Sequence, residues 1–155
     1  MSGILNNEPV LRVTKSLKKF NSEIKVIVLK TSARTAKDAA NSLNCKLGAI
    51  VKSLVFRAEE DFFICLVAGD KRCSLKKLKK ICNKKDVVMA DAQQVKEITG
   101  FSIGGVSPTG HLKKLDIVVD NSLSRFKYVY GAAGHPDCVF KITYAELLQL
   151  TNGIE

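Results

Sequence analysis

A chain of 155 residues, 46% of them hydrophobic, is long enough to bury a proper core and too apolar for wholesale disorder. Its 25 Lys and Arg against 15 Asp and Glu leave a net charge of +10, which points to a polyanionic partner, either nucleic acid or an anionic membrane surface. No apolar run has the length of a membrane span, the N-terminus lacks a signal peptide's charged and apolar regions, and the five cysteines (Cys45, Cys65, Cys73, Cys82, Cys138) form no CxxC pair, so the expectation is a reducing cytoplasm without disulfides or zinc.

In chain order, Pro9 suits the first turn of a helix over residues 9–20, with Val10, Val13, Leu17 and Phe20 at helical spacing. Ile24 to Leu29 is β-branched and short, hence a strand. Thr35-x-x-Asp38 opens a small helix with a narrow face of Ala36, Ala39, Ala40 and Leu43. Ile50 to Phe56 reads as a strand apolar on both faces, and the tip Ala58-Glu59-Glu60 joins it to a second apolar strand, Asp61 to Ala68. A helix from Ser74 to Cys82 has Leu75, Leu78 and Cys82 inward. A short strand at 86–90 precedes a helix capped by Asp91-x-x-Gln94 and stopped at Gly100. Strands follow at 115–120, 127–130 and 138–142, and Thr143-x-x-Glu146 caps a last helix. These elements predict one α+β domain over residues 1–155, its sheet mixed or largely antiparallel.

Three stretches carry candidate chemistry. Lys52 is an ammonium inside a run that otherwise looks buried. Its stem either snorkels to the sheet edge or lines a cavity and awaits an anionic or carbonyl ligand. Residues 71–85 hold eight Lys or Arg and no acid. Such self-repulsion favours contact with a phosphate backbone through Lys71, Arg72, Lys76, Lys77, Lys79 and Lys80 over a merely solvated face. Ile103 to Gly110 holds three glycines and a proline. Pro108 drives Ser107 extended, and a loop of this kind can aim several N–H groups at a carbonyl or a phosphate. Taken alone it reads as a plain connection.

The usual catalytic sets are missing. The two histidines, His111 and His135, are too few for a His-rich metal centre, and no GxSxG, HExxH, Walker or dinucleotide fingerprint occurs. His111, just beyond the loop, either reaches a ligand there or faces solvent; His135, beside Pro136, reads as structural. Asp120 ends a strand, and its plain role is a cap or Asx-turn. The inventory suits carbonyl polarisation and substrate positioning better than covalent catalysis.

Thr35-Ala36-x-x-Ala39-Ala40, Ile50 to Phe56 with its lysine, Ala68-Gly69-Asp70, Thr99-Gly100, Gly104-Gly105-Val106-Ser107-Pro108, Val119-Asp120 and Ala133-Gly134 occur in this order. In these the chain resembles the YbaK-type aminoacyl-tRNA deacylases, the family of the prolyl-tRNA synthetase editing domain. The resemblance implies a mixed, largely antiparallel, barrel-like sheet with flanking helices. It implies a free-standing trans-editing deacylase, without a cofactor or metal, that hydrolyses the ester of cysteinyl- or alanyl-tRNA for proline in the cytoplasm. The implied partners are the acceptor stem and aminoacylated end of tRNA and an aminoacyl-tRNA synthetase, with no membrane. Lys52 would contact the substrate end, and Gly104, Gly105, Ser107 and Pro108 would hold the ester. Thr35, Asp120 and Gly134 would lie near the substrate. Thr109 departs from the bulky apolar residue expected before Gly110, which leaves the amino acid removed open. The attacking group stays open among water, the ribose hydroxyl and a substrate thiol. The alternative is a non-catalytic tRNA- or synthetase-binding module of the same fold.

Overall fold

A computed structural model describes residues 2–30 and 35–154. After a single turn α1 (Ser2–Leu5), helix α2 (Glu8–Phe20) carries Pro9 where a helix has no use for the missing N–H, and buries Val10, Val13 and Leu17. Strand β1 (Val26–Val28) is shorter than the apolar run around it, although the N–H of Leu29 continues its pairing to the carbonyl of Asp137. Helix α3 (Ala36–Leu43) starts where Thr35 Oγ1 accepts from the N–H of Asp38, and stops at Asn44 in the left-handed region. Its buried Ala39 and Ala40 let it lie close against Leu29, Ile50 and Val139.

Strands β2 (Val51–Ala58) and β3 (Asp61–Ala68) form the predicted hairpin, in register from Val51 opposite Ala68 to Ala58 opposite Asp61. Alternation divides their side chains cleanly. Val51 and Val55 join Ile64, Leu66 and Ala68 in the main core, while Phe56 and Ala58 join Phe63, Cys65 and Val67 in a second cluster on the other face. Phe56 and Phe63 stack across the pair with centroids 5.5 Å apart. The second face is closed by Leu78 of α4 (Leu75–Cys82), so the hairpin is covered on both sides, as its two apolar faces demand. Leu75, expected inward, is 43% exposed. Two turns of helix bring one stripe onto the sheet, and Leu78 with the half-buried Cys82 occupies it.

β4 (Val87–Met89) pairs antiparallel with the far end of β2, and β5 (Asp116–Val119) pairs parallel with β3. Between them α5 (Ala92–Thr99) has a full Asp91–Gln94 capping box and ends at Gly100 with φ +80°. A 3-10 turn (Asn121–Arg125) leads to β6 (Val129–Ala132) and β7 (Cys138–Ile142), and β1 adds to the outer edge of β7. α6 (Tyr144–Thr151) is capped by Thr143 and Glu146 and seats Leu147 in the core.

The sheet is mixed and largely antiparallel, as expected, but the barrel-like description needs correcting. The described strands form two open sheets, β4-β2-β3-β5 and β1-β7-β6, joined by one parallel bridge between Ile50 and Tyr130. Closure fails at β2: β4 pairs only with Phe56 to Ala58, and no described strand pairs with the edge from Lys52 to Leu54 on that side. That gap borders a cavity.

Candidate functional site

The cavity, about 260 Å³, lies between the open edge of β2, the start of α3, the loop after α5 and the β6 to β7 turn. Its wall is mostly aliphatic, from Val51, Val55, Ala90, Val95 and Val106; Thr35, Gly104 and Tyr130 also line it. Burial raises the pKa of the Tyr130 hydroxyl, which therefore stays protonated at neutral pH.

Lys52 lines this cavity, and its ammonium donates to the carbonyl of Lys71 at 2.7 Å. Of the two roles open to it, the residue takes the first, its stem snorkelling out of the strand to a backbone carbonyl. It borders the cavity, and its side chain runs over the other face of the hairpin to the turn after β3. That turn is held by a fork from Arg125 to Asp70 at 2.8 and 3.0 Å, and the Arg125 bonds keep the Asp70 carboxyl below its ordinary pKa. The basic segment begins there. Lys71, Arg72, Lys76, Lys77, Lys79 and Lys80 are all exposed, the last four on α4, and no described acid pairs with any of them within salt-bridge distance.

The loop from Gly100 to Gly110 is seated on α2 by Arg12. Its Nη2 donates to the carbonyl of Gly100 at 2.8 Å and its Nε to that of Gly110 at 3.1 Å, so one guanidinium ties both ends. The same group lies 4.7 Å from the centroid of Phe101 and pairs with Glu8 one turn back. The Ser16 and Thr109 hydroxyls form a further link. Within the loop, Gly104 has φ +94° and an open position for a side chain, whereas a Cβ on Gly105 would come within 3.2 Å of the His135 backbone. The N–H of Gly105 is taken by the carbonyl of Ser102, and that of Thr109 by Ser107 Oγ. The N–H groups of Gly104 and Val106 donate to no described residue.

Of the residues expected to hold substrate, Lys52, Gly104 and Thr35 line the cavity. Gly105, Ser107 and Pro108 are buried behind that wall, with Pro108 against Gly131. Asp120 lies outside the cavity lining. Burial opposes its ionisation, but the N–H groups of Ser122 and Ala68 and the Ser122 hydroxyl outweigh that and hold its pKa below the usual carboxylate value. Its plain role as a cap is the one observed. Gly134, at φ +93°, packs against the start of α2, where a Cβ would meet Pro9 at 2.8 Å.

His111 is only partly exposed and does not line the cavity. Burial lowers its pKa, so the ring is neutral and Nε2–H donates to the carbonyl of Ser107 at 2.6 Å, bracing the loop from behind. His135 accepts the N–H of Asp137, a structural role. Sequence reasoning missed Arg12, Ser53 and Tyr130. Ser53 was legible as a second polar residue inside an apolar strand, next to Lys52; Arg12 looks like any other cation on the outer face of a helix. Among the described residues no group of three or more His, Cys, Asp or Glu side chains is placed to hold a metal ion.

Comparison with known proteins assigns this arrangement to a class. The sequence profile of the aminoacyl-tRNA editing domain matches residues 30–150, and the chain belongs to that family, which is related to the editing of prolyl-tRNA synthetases. Among its relatives is YwhH of Bacillus subtilis (strain 168), itself uncharacterised, 35% identical over 85% of this chain and 84% of that one. The proline–tRNA ligase of Thermosipho africanus (strain TCF52B) is 36% identical over 64% of this chain, which spans only 18% of the ligase. A crystal structure of a protein described as a proposed trans-editing enzyme for prolyl-tRNA synthetase superposes with a TM-score of 0.90 at 37% identity, covering 95% of this chain and 94% of that one.

Proposed function

We propose that the chain is a free-standing deacylase that hydrolyses the ester of mischarged tRNA, acting in trans as a single domain over residues 1–155. The observation that carries the reading is the cavity itself, an aliphatic space bordered by a lysine on an open strand edge, its ammonium resting at Lys71, and by a positive-φ glycine with an undonated N–H. An aminoacyl ester is already activated. Orientation and stabilisation of its developing oxyanion therefore accelerate hydrolysis without a dedicated general base.

In this reading the amino acid enters the aliphatic wall, and the ester carbonyl meets the N–H groups of Gly104 and Val106. Lys52, released from the carbonyl of Lys71, contacts the terminal nucleotide. The ammonium makes a charge-assisted bond in either place, so the exchange costs little. Gly105, Ser107 and Pro108 act by shaping the loop, and Thr35 borders the substrate. Asp120 and Gly134 hold the elements around it. The exposed cations of residues 71–80, which begin at the turn beside the Lys52 ammonium, take the acceptor-stem phosphates. Alanine or cysteine on tRNA for proline is the proposed load. A prolyl-tRNA synthetase is the proposed partner, since a proline–tRNA ligase carries a stretch similar to this chain.

The test is single-turnover deacylation of a panel of mischarged tRNAs by the wild type and Lys52→Ala. At least one substrate should be hydrolysed well above its spontaneous rate, and the variant should lose that rate by about 10²-fold or more. A variant as fast as wild type would remove Lys52 from the site. A wild type that binds tRNA yet hydrolyses nothing would favour the binding module, in which Lys52 stays committed to Lys71.

A further inference from the structure

The aliphatic wall of the cavity is interrupted at one point. Ser53 lies between Val51 and Val55 on the core-facing side of β2, opposite Leu66 of β3, and it lines the cavity with them. Its Oγ is buried and has no hydrogen-bond partner, the one side-chain polar atom in that condition among the described residues. A hydroxyl offers one donor and two acceptor positions. Leaving all of them empty away from water costs as much as a lost hydrogen bond, and native interiors rarely tolerate it without a reason. An alanine or valine there would complete the wall at no such cost, so the hydroxyl has a partner to wait for.

We infer that Ser53 is a specificity-determining contact for the side chain of the esterified amino acid, and that this side chain carries a hydroxyl or thiol, as in serine, threonine or cysteine, in preference to alanine. The inference rests on the deacylase reading of the cavity and narrows its substrate. A space of about 260 Å³ admits small and aromatic side chains alike, since a cavity of about 150 Å³ already holds benzene. Volume separates alanine from serine or cysteine poorly, because one added polar atom of similar size fits an aliphatic pocket almost as well. A hydrogen-bonding group inside the pocket separates them better: alanine leaves Ser53 unpaired, whereas a β-hydroxyl or β-thiol satisfies it.

The measurement is kcat/KM for seryl-, cysteinyl- and alanyl-tRNA for proline with wild type, Ser53→Ala and Ser53→Thr, each variant first shown by circular dichroism to be folded. Wild type should prefer the seryl and cysteinyl esters. Ser53→Ala should lower the seryl-to-alanyl ratio about tenfold, the worth of one buried hydrogen bond, and Ser53→Thr, which keeps the hydroxyl, should retain most of it. A ratio that does not change in Ser53→Ala, with alanyl ester still hydrolysed, overturns the inference and leaves the deacylase reading standing. If no ester is hydrolysed above its spontaneous rate, the deacylase reading falls. The contact is then decided by calorimetric titration of wild type with amide-linked 3′-seryl- and 3′-alanyl-aminoadenosine, where equal affinities overturn it and tighter seryl binding upholds it.

Discussion

Arg12 shows how much one side chain can organise. Its helix carries Lys15, Lys18 and Lys19 into solvent, yet the guanidinium turns inward and ties the carbonyls that open and close the glycine-rich loop. A planar fork can serve two carbonyls at a fixed separation, and a single ammonium cannot. Arg12→Lys should therefore cost about 2 kcal/mol in urea unfolding, from two charge-assisted bonds replaced at best by one. It should also slow ester hydrolysis through disorder of the loop, without weakening tRNA binding. Unchanged stability would mean that the loop is held by Ser16, Thr109 and His111 without help from the guanidinium.

At the scale of elements, α4 is the unusual one. It buries only Leu78 and spends its remaining surface on cations, while Leu75 and Ile81 are left substantially exposed. A helix that stability alone had shaped would bring acids among those lysines at i,i+4 spacing. Reversing Lys76, Lys77, Lys79 and Lys80 to Glu should leave the thermal midpoint nearly unchanged, since these side chains are exposed and pair with no described acid. Affinity for tRNA should fall, and the slope of log affinity against log salt should flatten by roughly 0.7 to 0.9 for each phosphate contact removed. An unaltered salt slope would place the tRNA surface elsewhere. The hairpin of β2 and β3 is the opposite case, apolar on both faces and covered on both, and it forms the rigid frame from which Lys52 and Ser53 project.

For the molecule as a whole, two open sheets raise the question of whether they unfold together. The main core answers it: Val51, Ile64 and Leu66 of one sheet share a cluster with Val129, Phe140 and Ile142 of the other, and α2 and α6 add Val13 and Leu147. One continuous core argues for one cooperative unit. Phe140→Ala, at a fully buried position in the smaller sheet, should cost about 3–5 kcal/mol and shift the transition of both sheets together, as read by residue-resolved hydrogen exchange. Separate transitions would divide the chain into two units. The incomplete closure then leaves a cavity within a stable body, lined by the free stretch of β2 edge.

The order of helices and strands, the caps at Thr35, Asp91 and Thr143, the two-faced burial of the hairpin and the oddness of Lys52 could all be read from residues a few positions apart. Each of these depends on local geometry, on periods of 2 and 3.6 and on side chains that reach their own backbone. Where the ammonium of Lys52 goes, which loop residues face the cavity and which shape it from behind, and that Arg12 rather than a loop residue ties the loop ends were settled only in three dimensions. Those outcomes depend on carbonyls 19, 88 and 98 residues away. Pattern within a segment carries no information about partners brought in from that distance. The open seam belongs to the same group, since closing a barrel depends on how far each strand extends past its neighbour, which the alternation within a strand leaves undetermined.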